Sequence, residues 1–149
     1  MEGSKLHAAV TEDFNLATSW KRSRVPPYSV QLSELAKNFK HEGLDMLSVS
    51  VGFSTPKAAI PWAPAFLAPI AERVRREAGI AVSSAWGIDT PELADRSVKN
   101  GQLDLVMVGR AHLADPHWPY HAARKLGIER PSWTLPAPYA HWLERYAVA

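Results

Sequence analysis

From about residue 30 the apolar positions follow one repeating plan: an amphipathic helix, a glycine, a short apolar strand and a loop. Leu32, Leu35, Ala36 and Phe39 fall at i, i+3, i+4 and i+7, which places them on one helical face. Gly43 ends that helix, and "LDMLSVSVG" (Leu44 to Gly52) is short and β-branched, predicting a buried strand. In the second round Leu67, Ile70, Ala71, Val74 and Ala78 share a helical face, Gly79 stops the helix, and "IAVSSAWG" is the strand. The third begins with Thr90 as N-cap and Pro91 at the first helical position, ends at Gly101, and continues into the strand "LDLVMVG". Asp115-Pro116 repeats that start signal ahead of a helix ending at Gly127. Glycine after each helix suits the left-handed cap conformation.

Strands alternating with helices predict an α/β fold with a parallel sheet. About three strands are legible, whereas a closed (β/α)₈ barrel takes roughly 250 residues, so the expected architecture is half a TIM barrel. Residues 1–29 show no clear periodicity and are expected to be irregular. Residues 30–130 form the half-barrel, and residues 131–149 form an aromatic, Pro-rich tail with a short helix from Pro138 to Tyr146. Functional loops should lie at the C-terminal strand ends, where "GFSTPKAAIPW", "AWGIDT" and "GRAHLADP" stand.

Composition narrows the function classes. The 149 residues are 46% hydrophobic and 21% charged, an ordinary globular balance for one domain. No run approaches the roughly 18 apolar residues of a membrane span, and the N-terminus lacks a secretory pattern, so a cytoplasmic protein without membrane association is expected. The absence of cysteine rules out disulfides, thiolate metal sites and a thiol nucleophile. Redox chemistry would then need a bound cofactor. The net charge is only +2, and the single basic cluster, Trp20 to Arg24, precedes Pro26-Pro27. It reads as a solvated loop, and no nucleic-acid partner is expected.

The strand ends carry the candidate chemistry. Glycine turns expose backbone N–H groups, which together with a helix N-terminus favour an anion. Gly87 and Gly109 allow close backbone approach, and Arg110 can add a bidentate contact to a phosphate. The alternative makes Gly109 a tight turn and Arg110 half of a surface ion pair. Trp86, beside Gly87, reads as a binding-site wall, with plain packing as its alternative. His112, His117, His121 and His141 have no carboxylate partner at ligand spacing, so no metal site is expected. Glu72, Glu77, Asp89 and Glu92 read as solvated or capping acids, and no carboxylate pair suggests acid–base catalysis.

These residues, with "GLDMLSVSVGFSTPKAAIPWAPAFLAPIAERVRREAGI", "VSSAWGIDTPELA", "QLDLVMVGRAHLADPHWPYHAARKLG" and "SWTLPAPYAHWLERY", resemble the C-terminal half of the Old Yellow Enzyme family, xenobiotic-reductase branch. The resemblance runs from about Gln31 to Tyr146. It implies a (β/α)₈ barrel with FMN at the C-terminal mouth, NAD(P)H as electron donor, and activated alkenes as substrates. It further implies that Gly87, Gly109 and Arg110 hold the FMN phosphate, that Trp86 walls the active site, and that Trp142 reaches the active site of a neighbouring subunit. A homo-oligomer, or a complementing N-terminal half, is therefore the expected partner. The family's catalytic residues stand in its N-terminal half, which this sequence does not show, so none is assigned here. The family's flavin-ring arginine also has no counterpart; only "ATSW" (Ala17 to Trp20) faintly resembles its strand. The expected activity is that of an FMN-dependent ene-reductase, catalytically incomplete in this chain. The alternative is a non-catalytic half-barrel that binds a phosphorylated ligand or a complementing chain.

Overall fold

The computed structural model describes residues 7–12, 28–51, 60 and 62–146, with the backbone alone for 7–12 and 28–31. The basic cluster, "ATSW" and most of the loop "GFSTPKAAIPW" lie outside the described residues.

Four parallel strands form one sheet in chain order: β1 (His7–Glu12), β2 (Met46–Val51), β3 (Ala81–Ser84) and β4 (Leu105–Val106). The three expected strands are present, and β1 precedes them inside the segment read as irregular. It pairs with β2 over six residues, His7 with Met46 through Glu12 with Val51. Sequence periodicity missed it because six residues of mixed type hold little pattern, and strand preference depends on the neighbour a segment pairs with.

Helices α1 (Tyr28–His41), α2 (Ala68–Ala78), α3 (Pro91–Lys99) and α5 (Trp118–Lys125) alternate with or follow the strands. A five-residue helix, α4 (Arg110–Ala114), comes directly after β4, and a 3₁₀ turn (Pro131–Thr134) and α6 (Ala137–Leu143) form the tail. This is a partial TIM barrel, the half-barrel that the alternation predicts.

The core lies between the sheet and α1 and α2. All five positions of the predicted α2 face, Leu67, Ile70, Ala71, Val74 and Ala78, are buried. They pack with Leu47, Val49 and Val82 of the strands and Leu32 and Ala36 of α1. Burying each Leu, Ile or Val contributes about 1.5–3 kcal/mol, so this layer orients the strands. On α1 the buried face is rotated from the predicted one: Ser33 is fully buried, Phe39 is half-buried and Leu35 is exposed.

Polar contacts fix the sheet's N-terminal end. The Asp104 carboxylate accepts from Arg75 Nε at 2.9 and 3.0 Å and from the Val82 backbone N–H at 3.0 Å, joining α2, β3 and the start of β4. Those bonds hold its carboxyl below the usual aspartate range, with the Arg75 hydrogen bond as the largest cause. Lys40 Nζ donates to the Gly79 carbonyl at 2.7 Å, tying the end of α1 to the end of α2.

Two helix starts test the sequence signals. Thr90 Oγ1 accepts from the Leu93 N–H at 3.4 Å and Pro91 opens α3, as read. Asp115 is different: it follows α4, and α5 starts three residues later at Trp118. Its carboxylate accepts from the His117 N–H at 3.0 Å and meets His121 Nδ1 at 2.6 Å, so it clamps the turn instead of capping at the expected position. No helix among the described residues is long and apolar enough to cross a membrane.

Candidate functional site

A cleft of about 230 Å³ opens at the C-terminal ends of β3 and β4. It is lined by Ala85, Trp86, Gly87, Ile88, Asp89, Met107, Gly109 and Arg110. The sheet register explains the convergence: Ser84 pairs with Val106, so the segments that follow leave the sheet side by side. The Met107 N–H also donates to the Ser84 carbonyl at 3.0 Å, holding the two strand ends together. Thus Trp86, Gly87, Gly109 and Arg110 stand around one space, although 21 residues lie between the two dipeptides.

The two glycines do different work. Gly87 has φ +69°, and a Cβ there would lie 2.7 Å from the Ala63 carbonyl oxygen and 3.2 Å from the Ala65 nitrogen. Its carbonyl accepts from the Ala65 N–H at 3.1 Å, so it is packed against a neighbouring backbone. Gly109 precedes α4 with negative φ, and a Cβ built on it meets nothing within 4 Å. Among the described residues, nothing fills the space beside Gly109.

Arg110 is exposed and makes no ion pair or side-chain hydrogen bond among the described residues. The surface ion pair offered as its alternative is absent there. Trp86 has φ +67°, a left-handed conformation that is costly for a bulky side chain. Its ring lies 5.5 Å from that of Trp62, which in turn meets Phe66 edge-on at 5.8 Å. An aromatic ladder therefore backs the cleft and holds Trp86 in that conformation, an arrangement typical of binding sites.

The cleft suits one end of a flavin nucleotide better than the whole. Its volume falls below the ~300–1,000 Å³ of sites that enclose a complete ligand. The uncovered Gly109 backbone and the Arg110 guanidinium fit an anionic group there. Asp89 lines the same cleft and opposes a negative charge on its own side.

Sequence reasoning missed Met107 and Asp89 as lining residues, and Trp62 as the support of Trp86. Met107 was detectable by strand alternation two residues after Leu105; Trp62, 24 residues from Trp86, carried no local signal. Trp142 is not in the cleft: it sits on α6 with 71% of its surface exposed. His117 and His121 are drawn to Asp115, and among the described residues no group of three metal-ligating side chains converges. Glu77 pairs with Arg73 and Glu92 with Lys125, in keeping with solvated helix faces.

A larger cavity, about 500 Å³, lies between α5, the 3₁₀ turn and α6. Arg124 and Arg130 line it together with Glu129 and Glu144, so its charges offset. Glu144 already accepts from Trp133 Nε1 at 2.7 Å. Because this cavity stands away from the strand ends, the smaller cleft is the better candidate.

No family model matches the chain. It is 41% identical over 93 residues to the NADPH dehydrogenase of Geobacillus thermodenitrificans, covering 62% of this chain and 27% of that protein. The NADPH dehydrogenase of Halalkalibacterium halodurans is 39% identical over 93 residues, covering 62% and 27%. That of Listeria monocytogenes serovar 1/2a is 37% identical over 98 residues, covering 64% and 29%. The chain thus spans less than a third of the length of these curated relatives. Over its C-terminal part, about 62% of its length, this chain is similar to these NADPH dehydrogenases, which are of the Old Yellow Enzyme family.

Proposed function

We propose that this chain is the flavin-phosphate-binding half of an FMN-dependent NADPH oxidoreductase that reduces activated C=C bonds, and that it is catalytically incomplete alone. The observation that carries the reading is the meeting of Trp86, Gly87, Gly109 and Arg110 around one cleft at the ends of β3 and β4. FMN, when bound, would accept hydride from NADPH or NADH and deliver it to an alkene. Gly109 and Arg110 would hold the phosphate, the first by backbone approach and the second by charge-assisted hydrogen bonds. Gly87 would keep the β3 loop closed against Ala63 and Ala65, and Trp86 would wall the substrate space. Trp142, exposed on α6, would serve the cleft of a neighbouring copy.

A second reading, a half-barrel that binds a phosphorylated ligand or a complementing chain without catalysis, draws on one observation. Among the described residues that line the cleft, Asp89 and Arg110 are the ionisable ones, and no histidine or tyrosine stands with them as an acid–base group. Enone-dependent NADPH oxidation in the presence of FMN separates the two. The first reading predicts turnover when the N-terminal portion of a relative such as the Geobacillus enzyme is added, and none without it. Turnover by the chain alone would overturn the incompleteness; none in either case would favour the second reading.

A further inference from the structure

We propose that Asp115 and His121, which lie outside the cleft, form a clamp that positions Gly109 and Arg110 within it, so that phosphate affinity depends on both. The inference deepens the phosphate reading of the cleft and rests on it.

The segment that carries Gly109 and Arg110 is tied at its two ends. At the first, the Met107 N–H donates to the Ser84 carbonyl at 3.0 Å, fixing the end of β4 against β3. From Val108 to Ala114 no side chain is buried among the described residues, and Leu113 is 84% exposed. Within the segment the Leu113 N–H donates to the Gly109 carbonyl at 3.0 Å, and the Asp115 N–H to the Ala111 carbonyl at 2.9 Å. A helix as short as α4 is far below the roughly 12–15 residues at which an isolated helix becomes even marginal in water. Its place is therefore set by what its ends are tied to.

Asp115 is the second tie. One carboxylate oxygen accepts from the His117 N–H at 3.0 Å, and the other lies 2.6 Å from His121 Nδ1. Its backbone carbonyl accepts from the Trp118 N–H at 2.9 Å. The His121 hydrogen bond is the largest of the causes that hold the Asp115 carboxyl below the usual aspartate range, so the group is ionised at neutral pH. An ionised carboxylate only accepts, so Nδ1 carries the hydrogen and the bond is charge-assisted. The helix that bears His121 is itself seated: Ala122 and Ala123 of α5 are buried, and Lys125 Nζ stands 2.9 Å from Glu92 Oε1 of α3. His121 thus joins the far end of α4 to an anchored element. Solvent reaches both partners, with 57% of the His121 and 33% of the Asp115 side chain exposed, which limits the effect. An exposed ion pair moves an equilibrium by at most about fivefold. If losing it lets α4 leave its binding position, apparent phosphate affinity falls by the same factor.

Two variants test the clamp. His121→Ala removes the Nδ1 donor without weakening α5, because alanine is the best helix former. His121→Asn is the conservative variant: its amide nitrogen takes the place of Nδ1 along the side chain and can donate to the same oxygen. By flavin fluorescence quenching, His121→Ala should bind FMN about fivefold more weakly than the parent chain. Riboflavin affinity should not change, and His121→Asn should recover most of the loss. Without flavin, amide hydrogen exchange in His121→Ala should be faster at Leu113 and Asp115 and unchanged at Leu126 and Ile128, whose N–H groups close α5. A side chain that only stabilised the fold would lower both flavin affinities together and speed exchange throughout α5, and that result overturns the proposal. Unchanged exchange at Leu113 and Asp115 in His121→Ala overturns it whichever flavin binds, as does an FMN preference kept at the parent's value. A loss in His121→Asn as large as in His121→Ala overturns it too. Equal affinity of the parent chain for the two flavins would instead refute the phosphate reading, and the exchange rates would still decide whether the clamp holds α4.

Discussion

Replacing each of two cleft glycines by alanine should separate folding from binding. At Gly87 the new methyl would lie 2.7 Å from the Ala63 carbonyl oxygen, 3.2 Å from the Ala65 nitrogen and 3.3 Å from Pro64 Cα, all backbone atoms. It would also hold alanine at φ +69°, which costs about 1–2 kcal/mol. Relieving the clash displaces a packed loop, at about 1–3 kcal/mol for overpacking, and weakens the Ala65 to Gly87 hydrogen bond, worth about 1 kcal/mol. Gly87→Ala should therefore lose about 3 kcal/mol or more. Gly43 provides the control, because it has φ +96° and open space around its Cβ position. Gly43→Ala should show only the conformational part, about 1–2 kcal/mol. Gly109→Ala meets no atom and has no positive φ, so its stability should stay within about 1 kcal/mol of the parent. Its methyl occupies space a phosphate would use, and FMN affinity should fall by about tenfold, or 1.4 kcal/mol. Urea unfolding at constant m-value reads the stabilities, and flavin fluorescence quenching reads the affinity. If Gly87→Ala were no worse than Gly43→Ala, the packing argument would be wrong. If Gly109→Ala left FMN binding intact, the uncovered Gly109 backbone would not be the phosphate site.

Three further outcomes are expected. Because the Asp104 carboxyl is held below its ordinary value, its contribution is present above the unfolded aspartate pKa, near 3.9, and is lost as pH falls through the lower folded value. Asp104→Asn should thus lose about 1 kcal/mol at neutral pH, and its stability should depend less on pH below about 4, as followed by urea midpoints across pH 2–6. Trp142→Ala should leave stability within about 0.5 kcal/mol, as for an exposed site, while lowering enone turnover of the complemented enzyme if the side chain serves a neighbour's cleft. Asp115→Ala removes the acceptor for the His117 N–H and should lower the unfolding midpoint slightly, as read by urea unfolding.

What the sequence made legible was whatever repeats along the chain. The α2 face was readable because five apolar residues keep the helical period, and all five are buried. The strand ends were readable because glycine follows each of β2, β3 and β4 in the sequence, and the cleft does form between the segments after β3 and β4. Features created by contacts between distant segments stayed hidden. The strand β1 owes its form to pairing with β2, and the buried face of α1 turned so that Ser33 packs inward and Leu35 does not. The left-handed backbone of Trp86 has no signature in residue type, since tryptophan rarely adopts it without neighbours such as Trp62 to hold it. Asp115 followed by proline looks like a helix start, but its carboxylate is committed to His117 and His121 and the helix begins later.

The central claim, that the ends of β3 and β4 form a phosphate cradle, is tested most directly by comparing FMN with riboflavin, which lacks the phosphate, on the parent chain and on Arg110→Ala. The account predicts that the parent chain binds FMN at least tenfold more tightly than riboflavin, about 1.4 kcal/mol, and that Arg110→Ala removes most of that preference while leaving riboflavin affinity unchanged. Equal affinities for the two flavins in the parent chain, or a preference untouched by Arg110→Ala, would contradict it.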